Sequence, residues 1–371
     1  MNVKIIKLID RVIGTPLCVL LSPFKSKKDF KTNKVLFIQL WGIGETILTL
    51  PAIKAFKQKY PNSKISLLCT DRNKDVYYKN DNIDNVIVTK LSPIALKLFI
   101  LKNFKKFDLV IDFEEYLNIS AIMAYFIGKF SIGYSHGVRA KLFNKTTKYN
   151  DKQHVVQTHL DLVRVLGADI KANNLIKLKY SKQDKDNANT VTKNLGIKSN
   201  DYIVGLGTGA AESARSRMWP KDRFAKLADE LYKNKKAKII FFGTDSEKTY
   251  INDIIKSIKN PTITVYNVAG KLSLKQAFAA IEMCQLFISN DTGTMHIAAA
   301  QGVKTIGLFG PNLPERWGPY GPGNISIYKG KICKFSPCIN VHKGEVPECR
   351  FGYNNKCMKN IKIDDIIKLL K

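Results

Sequence analysis

Twice along this chain, short apolar runs alternate with helix-patterned stretches, and that alternation is what most limits the fold. Residues 35–40, 65–69, 86–88 and 109–112 read as buried strands, with helical patterns over 45–59, 93–104 and 117–127. A helical stretch at 153–166 and a polar helix-and-linker segment at 181–201 follow. The alternation then restarts, with strands expected over 202–206, 238–242, 263–266, 286–289 and 305–309. In this second half, Pro220 opens one helix at its first turn, and Ser273 with Gln276 forms a capping box for another. Strands interleaved with helices predict parallel sheets covered on both faces. Two such series predict an α/β chain of two Rossmann-like, doubly wound domains facing a cleft, with ligands at the carboxyl ends of the strands.

A length of 371 residues suits two domains of similar size. The expected divisions are an N-terminal segment 1–30, a first domain 31–185, a second domain 186–358 with a Cys-rich loop at 333–357, and a C-terminal helix 359–371. Lys plus Arg is 60 against 31 acidic residues, a net charge of +29. Such a surface attracts nucleic acid, anionic lipid or phosphorylated substrates. No Arg-rich helix, zinc finger or RNA-binding aromatic signature is present, so nucleic acid is not an expected partner. The segment "VIGTPLCVLLSPF" (12–24) is apolar and flanked by Lys4, Lys7, Arg11, Lys25, Lys27 and Lys28. It is too short to span a bilayer and carries no small-x-small cleavage site. It reads either as a membrane-surface segment held by lysines or as a terminal helix docked on its own domain. Seven cysteines, an odd number, and no convincing leader point to a reducing compartment. Four of them, Cys333, Cys338, Cys349 and Cys357, are spaced C-x4-C-x10-C-x7-C. Four thiolates could bind a structural zinc, yet the usual C-x2-C knuckle is missing, so free thiols or a disulfide are the readings favoured over metal.

Three stretches carry the chemistry. In "LFIQLWGIGETILTLPAIKAFKQKYP" (36–61), a glycine turn at Gly42 and Gly44 sets Glu45 at a strand-to-helix corner. The third glycine of a dinucleotide fingerprint is replaced by Ile47, which argues against a nicotinamide or flavin site. Glu45 is then either a helix-start acid or a reactive carboxylate. In "FISNDTGTMHIAAAQGVKTIGLFGPNLPERWGPYG" (287–321), small residues after a strand leave the backbone N–H groups of Thr292, Gly293 and Thr294 free at a helix start, beside Asp291. Such a corner binds phosphate. His296, one turn inside, is expected to pack beneath the loop. In "GLGTGAAESARSRMWP" (205–220), Thr208 and a guanidinium, from Arg215 or Arg217, can meet a diphosphate, whose oxygens suit arginine's fork.

Together, "GIGETILTLPAIKAFKQKYP", "SRMWP" after a small-residue loop, and "SNDTGTMHIAAAQGVKTIGLFGP…GPYG" resemble glycosyltransferase family 9, the heptosyltransferases of lipopolysaccharide core assembly. The resemblance runs from about 35 to 360, and the "CKFSPC…C…CM" pattern also occurs in part of that family. It implies a GT-B fold, with a nucleotide-diphosphate sugar such as ADP-heptose held mainly by the second domain. It also implies inversion at the anomeric carbon, no required cofactor or metal, and a lipopolysaccharide-core or related glycolipid acceptor. Peripheral placement on the cytoplasmic face of the bacterial inner membrane, against an anionic surface, goes with that role. The family usually has Asp where Glu45 stands and makes it the general base, with Gly44 beside it. Arg217 corresponds to a phosphate-contacting lysine, Asp245 to an acid near the donor ribose, and Asp291 to the aspartate at the donor diphosphate and sugar. A family member using another nucleotide sugar, or a catalytically idle scaffold, are the competing expectations.

Overall fold

The computed structural model describes residues 8–24, 30–168, 170–194, 196–198, 200–210, 212–349 and 355–370. Two compact units emerge: the chain up to Ala172 with Val341–Gly344, and Asn173–Asn340 with Glu345 onward. The first unit runs α1 (Thr15–Leu21), β1 (Lys34–Ile38), α2 (Ile43–Lys59), β2 (Lys64–Cys69), β3 (Asn85–Val88), α3 (Pro93–Lys102), β4 (Phe107–Asp112), α4 (Asn118–Ile127), β5 (Gly128–Tyr134), β6 (Lys145–Thr147) and α5 (Val155–Arg164). Its six strands pair in parallel, in the order β3-β2-β1-β4-β5-β6. After Lys34 the central strand β1 is apolar and buried, because helices cover both faces of a parallel sheet. Leu36 pairs with Ser66 on one side and Val110 on the other. On one face Phe37 stacks on Phe113 at 5.3 Å and meets Phe56 of α2 edge-on at 5.4 Å. Each such fully buried ring contributes about 1.5–3 kcal/mol.

The second unit repeats the plan. It runs α6 (Lys182–Asn194), β7 (Ile203–Gly207), α7 (Lys221–Lys235), β8 (Lys238–Phe242), α8 (Lys248–Lys256), β9 (Val265–Asn267), α9 (Leu274–Glu282), β10 (Leu286–Asn290), α10 (Gly293–Ala300), β11 (Lys304–Phe309), α11 (Pro314–Trp317), β12 (Ile325–Tyr328), α12 (Lys356–Lys359) and α13 (Ile363–Ile367). The parallel order is β12-β11-β10-β7-β8-β9. The C-terminal segment belongs to this unit's core. Ile361 and Ile366 are fully buried with Phe224 and Trp219, and the Trp219 indole N–H donates to the Ile361 carbonyl at 3.0 Å.

Both sheets therefore have the doubly wound order in which the winding reverses between the first and fourth strands. Loops leaving those two strands diverge and open a crevice at the carboxyl ends. In the first unit they are the β1–α2 turn and the segment after β4; in the second they follow β7 and β10.

Three strands were not expected from sequence: β5, β6 and β12. A glycine at each end of its alternating core obscures β5, and β6 is three polar residues long. The division between units falls at 172/173 rather than 185/186, because α6 packs against α9 of the second unit. Pro220 caps α7 one residue ahead of its first turn, and the Ser273–Gln276 capping box is formed in both directions, at 3.3 and 2.9 Å.

The N-terminal stretch is helical and docks on the first unit. Cys18 is fully buried, and a Cβ on Gly14 would stand 2.8 Å from that of Asn118. The Asp10 carboxylate accepts the backbone N–H groups of Asn118 (2.9 Å) and Ile119 (2.7 Å), capping α4 from more than a hundred residues away. Of the flanking basic residues expected to hold a membrane, Lys4, Lys7, Lys25, Lys27 and Lys28 lie outside the described residues, as do 350–354 of the Cys-rich loop. Among the described residues no helix is long and apolar enough to cross a membrane.

Candidate active site

In the first unit, β1 ends in a turn that needs glycine. Gly42 sits at φ +66°, and a Cβ there would collide with the Glu45 carboxylate at 1.7 Å, so the Glu45 side chain is folded back over the turn. Gly44 is buried, and Glu45 is half-buried in the first turn of α2. The turn is tied down from two sides. Asn73, fully buried, donates to the Gln39 carbonyl (2.9 Å) and the Thr46 hydroxyl (2.8 Å), while Thr46 in turn donates to the Gly42 carbonyl. From the end of β4, the buried Glu114 carboxylate accepts the backbone N–H groups of Leu40 (2.6 Å) and Trp41 (3.1 Å).

Glu114 belongs to a buried charge cluster. Arg139, almost wholly buried, donates to the Asp112 carboxylate, the Glu114 carbonyl and the Ser120 hydroxyl. One guanidinium faces several carboxylates, and burial dominates. The Glu114 carboxyl is pushed up to about 8, first by burial and then by the charge of Asp112, with Glu45 adding to the push. Two carboxylates, Glu45 and Glu114, thus sense each other at the crevice of the first sheet. Sequence analysis singled out Glu45 and not Glu114. The signal was there, since "DFEE" follows directly the strand that neighbours β1.

In the second unit, the loops after β7 and β10 are bound to each other by Asn290, a fully buried side chain. Its amide donates to the carbonyls of Thr208 (2.7 Å) and Gly209 (3.2 Å), and its oxygen accepts the Trp219 N–H (3.1 Å). This clamp brings Thr208, Arg217 and Asp291–Thr294 together, as the sequence predicts. Arg217 is the arginine of its loop that reaches the corner. Its Nε lies 3.4 Å from the Asp291 carboxylate, and Nη1 donates to the Asp291 carbonyl at 3.3 Å. Asp291 is also held by the Asn312 amide at 2.8 Å.

Thr292 stands at the N-cap of α10 in extended geometry without its side chain capping the helix. Its hydroxyl lies 3.0 Å from that of Thr294 and 3.3 Å from that of Ser289. The first amides of the helix, from Gly293 and Thr294, therefore remain available to an anion, as the dipole favours. Gly207 lets this hydroxyl group approach, since a Cβ there would meet Ser289 Oγ at 2.4 Å. Among the described residues the buried Thr208 hydroxyl has no hydrogen-bond partner. His296 packs beneath the loop as expected, and burial with the nearby Arg217 charge lowers it to about 3, so it is neutral at working pH.

Asp245 stands in the loop after β8. It is exposed and lies against Gly270. The acid that reaches the β7 loop is Glu247, two residues on. It accepts the Thr244 N–H at 2.7 Å and packs against Gly209, where a Cβ would meet its carboxylate at 1.7 Å. The four late cysteines all line one small cavity with Ser216 and Pro311. The Cys357 thiol is pushed up to about 11 by burial, with the other three cysteines adding to the rise. Among the described residues, however, no three or more His, Cys, Asp or Glu groups are arranged to hold a metal ion. The thiols share a cavity without forming a coordination set among the described residues.

Comparison with known proteins fits this arrangement. The family model described as glycosyltransferase family 9 (heptosyltransferase) matches residues 101–342. The chain is 25% identical over 346 residues to lipooligosaccharide heptosyltransferase 2 of Campylobacter jejuni, covering 91% of this chain and 97% of that one. The fold matches a glycosyl transferase family 9 structure from Veillonella parvula with a TM-score of 0.77 and 22% identity, over 92% of this chain and 97% of that one. It matches Escherichia coli ADP-heptose lipopolysaccharide heptosyltransferase II at 0.68 and 18%, over 91% and 97%. With two six-stranded parallel sheets in the GT-B manner and a family match over most of its length, the chain belongs to glycosyltransferase family 9, the heptosyltransferases.

Proposed function

We propose that the protein transfers a heptose from ADP-heptose to a lipopolysaccharide inner-core acceptor, with inversion at the anomeric carbon and without a metal. The observation that carries this reading is the corner where Asn290 gathers Arg217, Thr208, Asp291 and the start of α10. Displacement at an anomeric carbon builds negative charge on the departing diphosphate. The Arg217 guanidinium and the Gly293 and Thr294 amides meet that charge with donors already in place. The acceptor hydroxyl oxygen bonds to the anomeric carbon as the bond to the diphosphate oxygen breaks. Its proton passes to Glu45, and the electron pair leaves with ADP. Asp291, braced by Arg217 and Asn312, is left to orient the donor sugar. Asp245, which the family resemblance sets near the donor ribose, is the proposed ribose contact, and Glu247, lying against the β7 loop, stands two residues from it.

The acceptor is a glycolipid, which sets the enzyme's place at the cytoplasmic face of the inner membrane. The test is a panel of nucleotide sugars incubated with a lipid-A-core extract, reading released nucleotide. ADP release with ADP-heptose that requires the acceptor is the expected result. Preferential turnover of another nucleotide sugar would replace the donor. One observation favours an idle scaffold, the Glu at position 45 where the family usually has Asp. Acceptor-dependent ADP release removes that reading.

A further inference from the structure

Apart from Ile332, every large apolar side chain that stands exposed among the described residues falls within 8–24 or 86–104, both in the first unit. In α3, Ile94, Leu98 and Leu101 are 74%, 61% and 63% exposed, at the i, i+4, i+7 spacing of one helix face. The opposite side of the same helix packs inward through Leu96, Phe99 and Ile100. An apolar stripe left exposed on a helix whose other side is already packed marks a surface that a partner covers. The N-terminal helix repeats the pattern. Cys18 and Leu21 face the core, while Val12, Leu20 and Phe24 are 62%, 67% and 76% exposed.

The two helices make one surface because both pack on α4. Cys18, Leu96 and the α4 side chains from Ala121 to Ile127 share a single core cluster. Just past the ends of the two helices, the exposed Phe24 and Phe104 each border the C-terminal end of α4. The Tyr125 hydroxyl donates to the Phe24 carbonyl at 3.1 Å, and Phe126 lies 6.5 Å from Phe104, centroid to centroid. The rim is basic. From Asn85 to Lys106 the chain carries five lysines and no acidic residue, and Lys90, Lys97, Lys102 and Lys106 are exposed.

We propose that α1 and α3 form one docking face for an anionic lipid bilayer, the aliphatic and aromatic side chains entering the interface and the lysines meeting the headgroups. Charge decides between the possible occupants. A second copy docking by the same face would set lysines against lysines, whereas an anionic bilayer complements them at every point of the rim. Neither helix is long enough to span, so the contact lies in the plane of the surface. The inference extends the membrane-side placement proposed above, but it rests on this surface and not on the sugar chemistry.

The test uses the full chain, without donor, in co-sedimentation with phosphatidylcholine vesicles prepared with and without phosphatidylglycerol. The protein is expected to partition onto the anionic vesicles and to be released as salt rises. Leu98→Asp with Leu101→Asp should lower that partition by about tenfold or more, with an unchanged melting temperature because both side chains are already in water. Lys97→Glu with Lys102→Glu should abolish the preference for anionic over neutral vesicles. Wild-type protein that stays in solution, or a Leu98→Asp/Leu101→Asp protein that partitions like wild type, overturns the proposal. So does a dimer seen by light scattering that the same pair of substitutions dissociates, since the occupant is then a second copy. Vesicle binding without any ADP-heptose turnover would leave this surface standing and remove the donor assignment instead.

Discussion

Glu45 is one methylene longer than the aspartate its family usually carries, and its side chain uses that length to curl over Gly42. If it served only as an acidic helix start, Glu45→Gln would cost a few tenths to about 1 kcal/mol and leave turnover intact. As the general base, the same change removes proton acceptance at constant size. Turnover is expected to fall by roughly 10²–10⁴-fold. Glu45→Asp should retain substantial activity, and near-normal turnover by the Gln variant ends the assignment. Glu114 makes a second prediction at this scale, in stability against pH. Its folded-state value of about 8 lies above that of an unfolded glutamate, about 4.3. Between those values the folded protein holds a proton that the unfolded chain has lost. Stability contributed at low pH is therefore lost progressively as pH rises through that window. Glu114→Gln, which cannot ionise, should flatten the fall in melting temperature between about pH 5 and 8. A variant whose melting curve tracks wild type across this range would show that Glu114 does not carry the titration.

Elements show where local rules hold and where tertiary structure overrides them. The end of α4 exposed to capping has no suitable residue of its own, since Leu117 stands at its N-cap. Asp10 supplies the carboxylate from the N-terminal helix. Asp10→Ala should lower stability by about 0.5–2 kcal/mol, the range for a lost cap, read as a shift of the urea midpoint. An unmoved midpoint would mean that solvent satisfies those amides equally well. The same contact explains what the sequence left hidden. Strand–helix alternation, the Ser273 capping box and the small-residue corner at 290–294 are local signals, and each was legible. The N-terminal helix presented both of its faces as apolar, so its docked side could not be told from its exposed one. Glu114 acts on a backbone group 74 positions away, and Asn290 on two that are 81 and 82 away. No spacing rule links residues so far apart. Only the order of strands in the sheet brings them together, and of the strands that complete that order β5 is interrupted by glycines while β6 and β12 are short.

Across the whole molecule, the two candidate centres lie in separate compact units, Glu45 in the first and Arg217 in the second. Each is held by its own network: Asn73, Thr46 and Glu114 around one, Asn290, Asn312 and Asp291 around the other. The hydrogen bonds of each network fall within its own unit, and substitutions in separate networks tend to add. Binding and proton transfer should therefore separate by mutation. Arg217→Ala removes a charge-assisted contact to the donor diphosphate, worth about 1.5–3 kcal/mol, so ADP-heptose affinity by calorimetry should weaken by roughly 10–150-fold. The loss has a second source, because the Asp291 carboxylate then faces the diphosphate without its cation. Glu45→Gln should leave that affinity within about twofold while turnover collapses. The double variant should bind as weakly as Arg217→Ala and turn over no faster than Glu45→Gln. Donor affinity that is unchanged in Arg217→Ala would move the diphosphate away from the β7–β10 crevice. Affinity lost in Glu45→Gln would place the donor on the first unit instead.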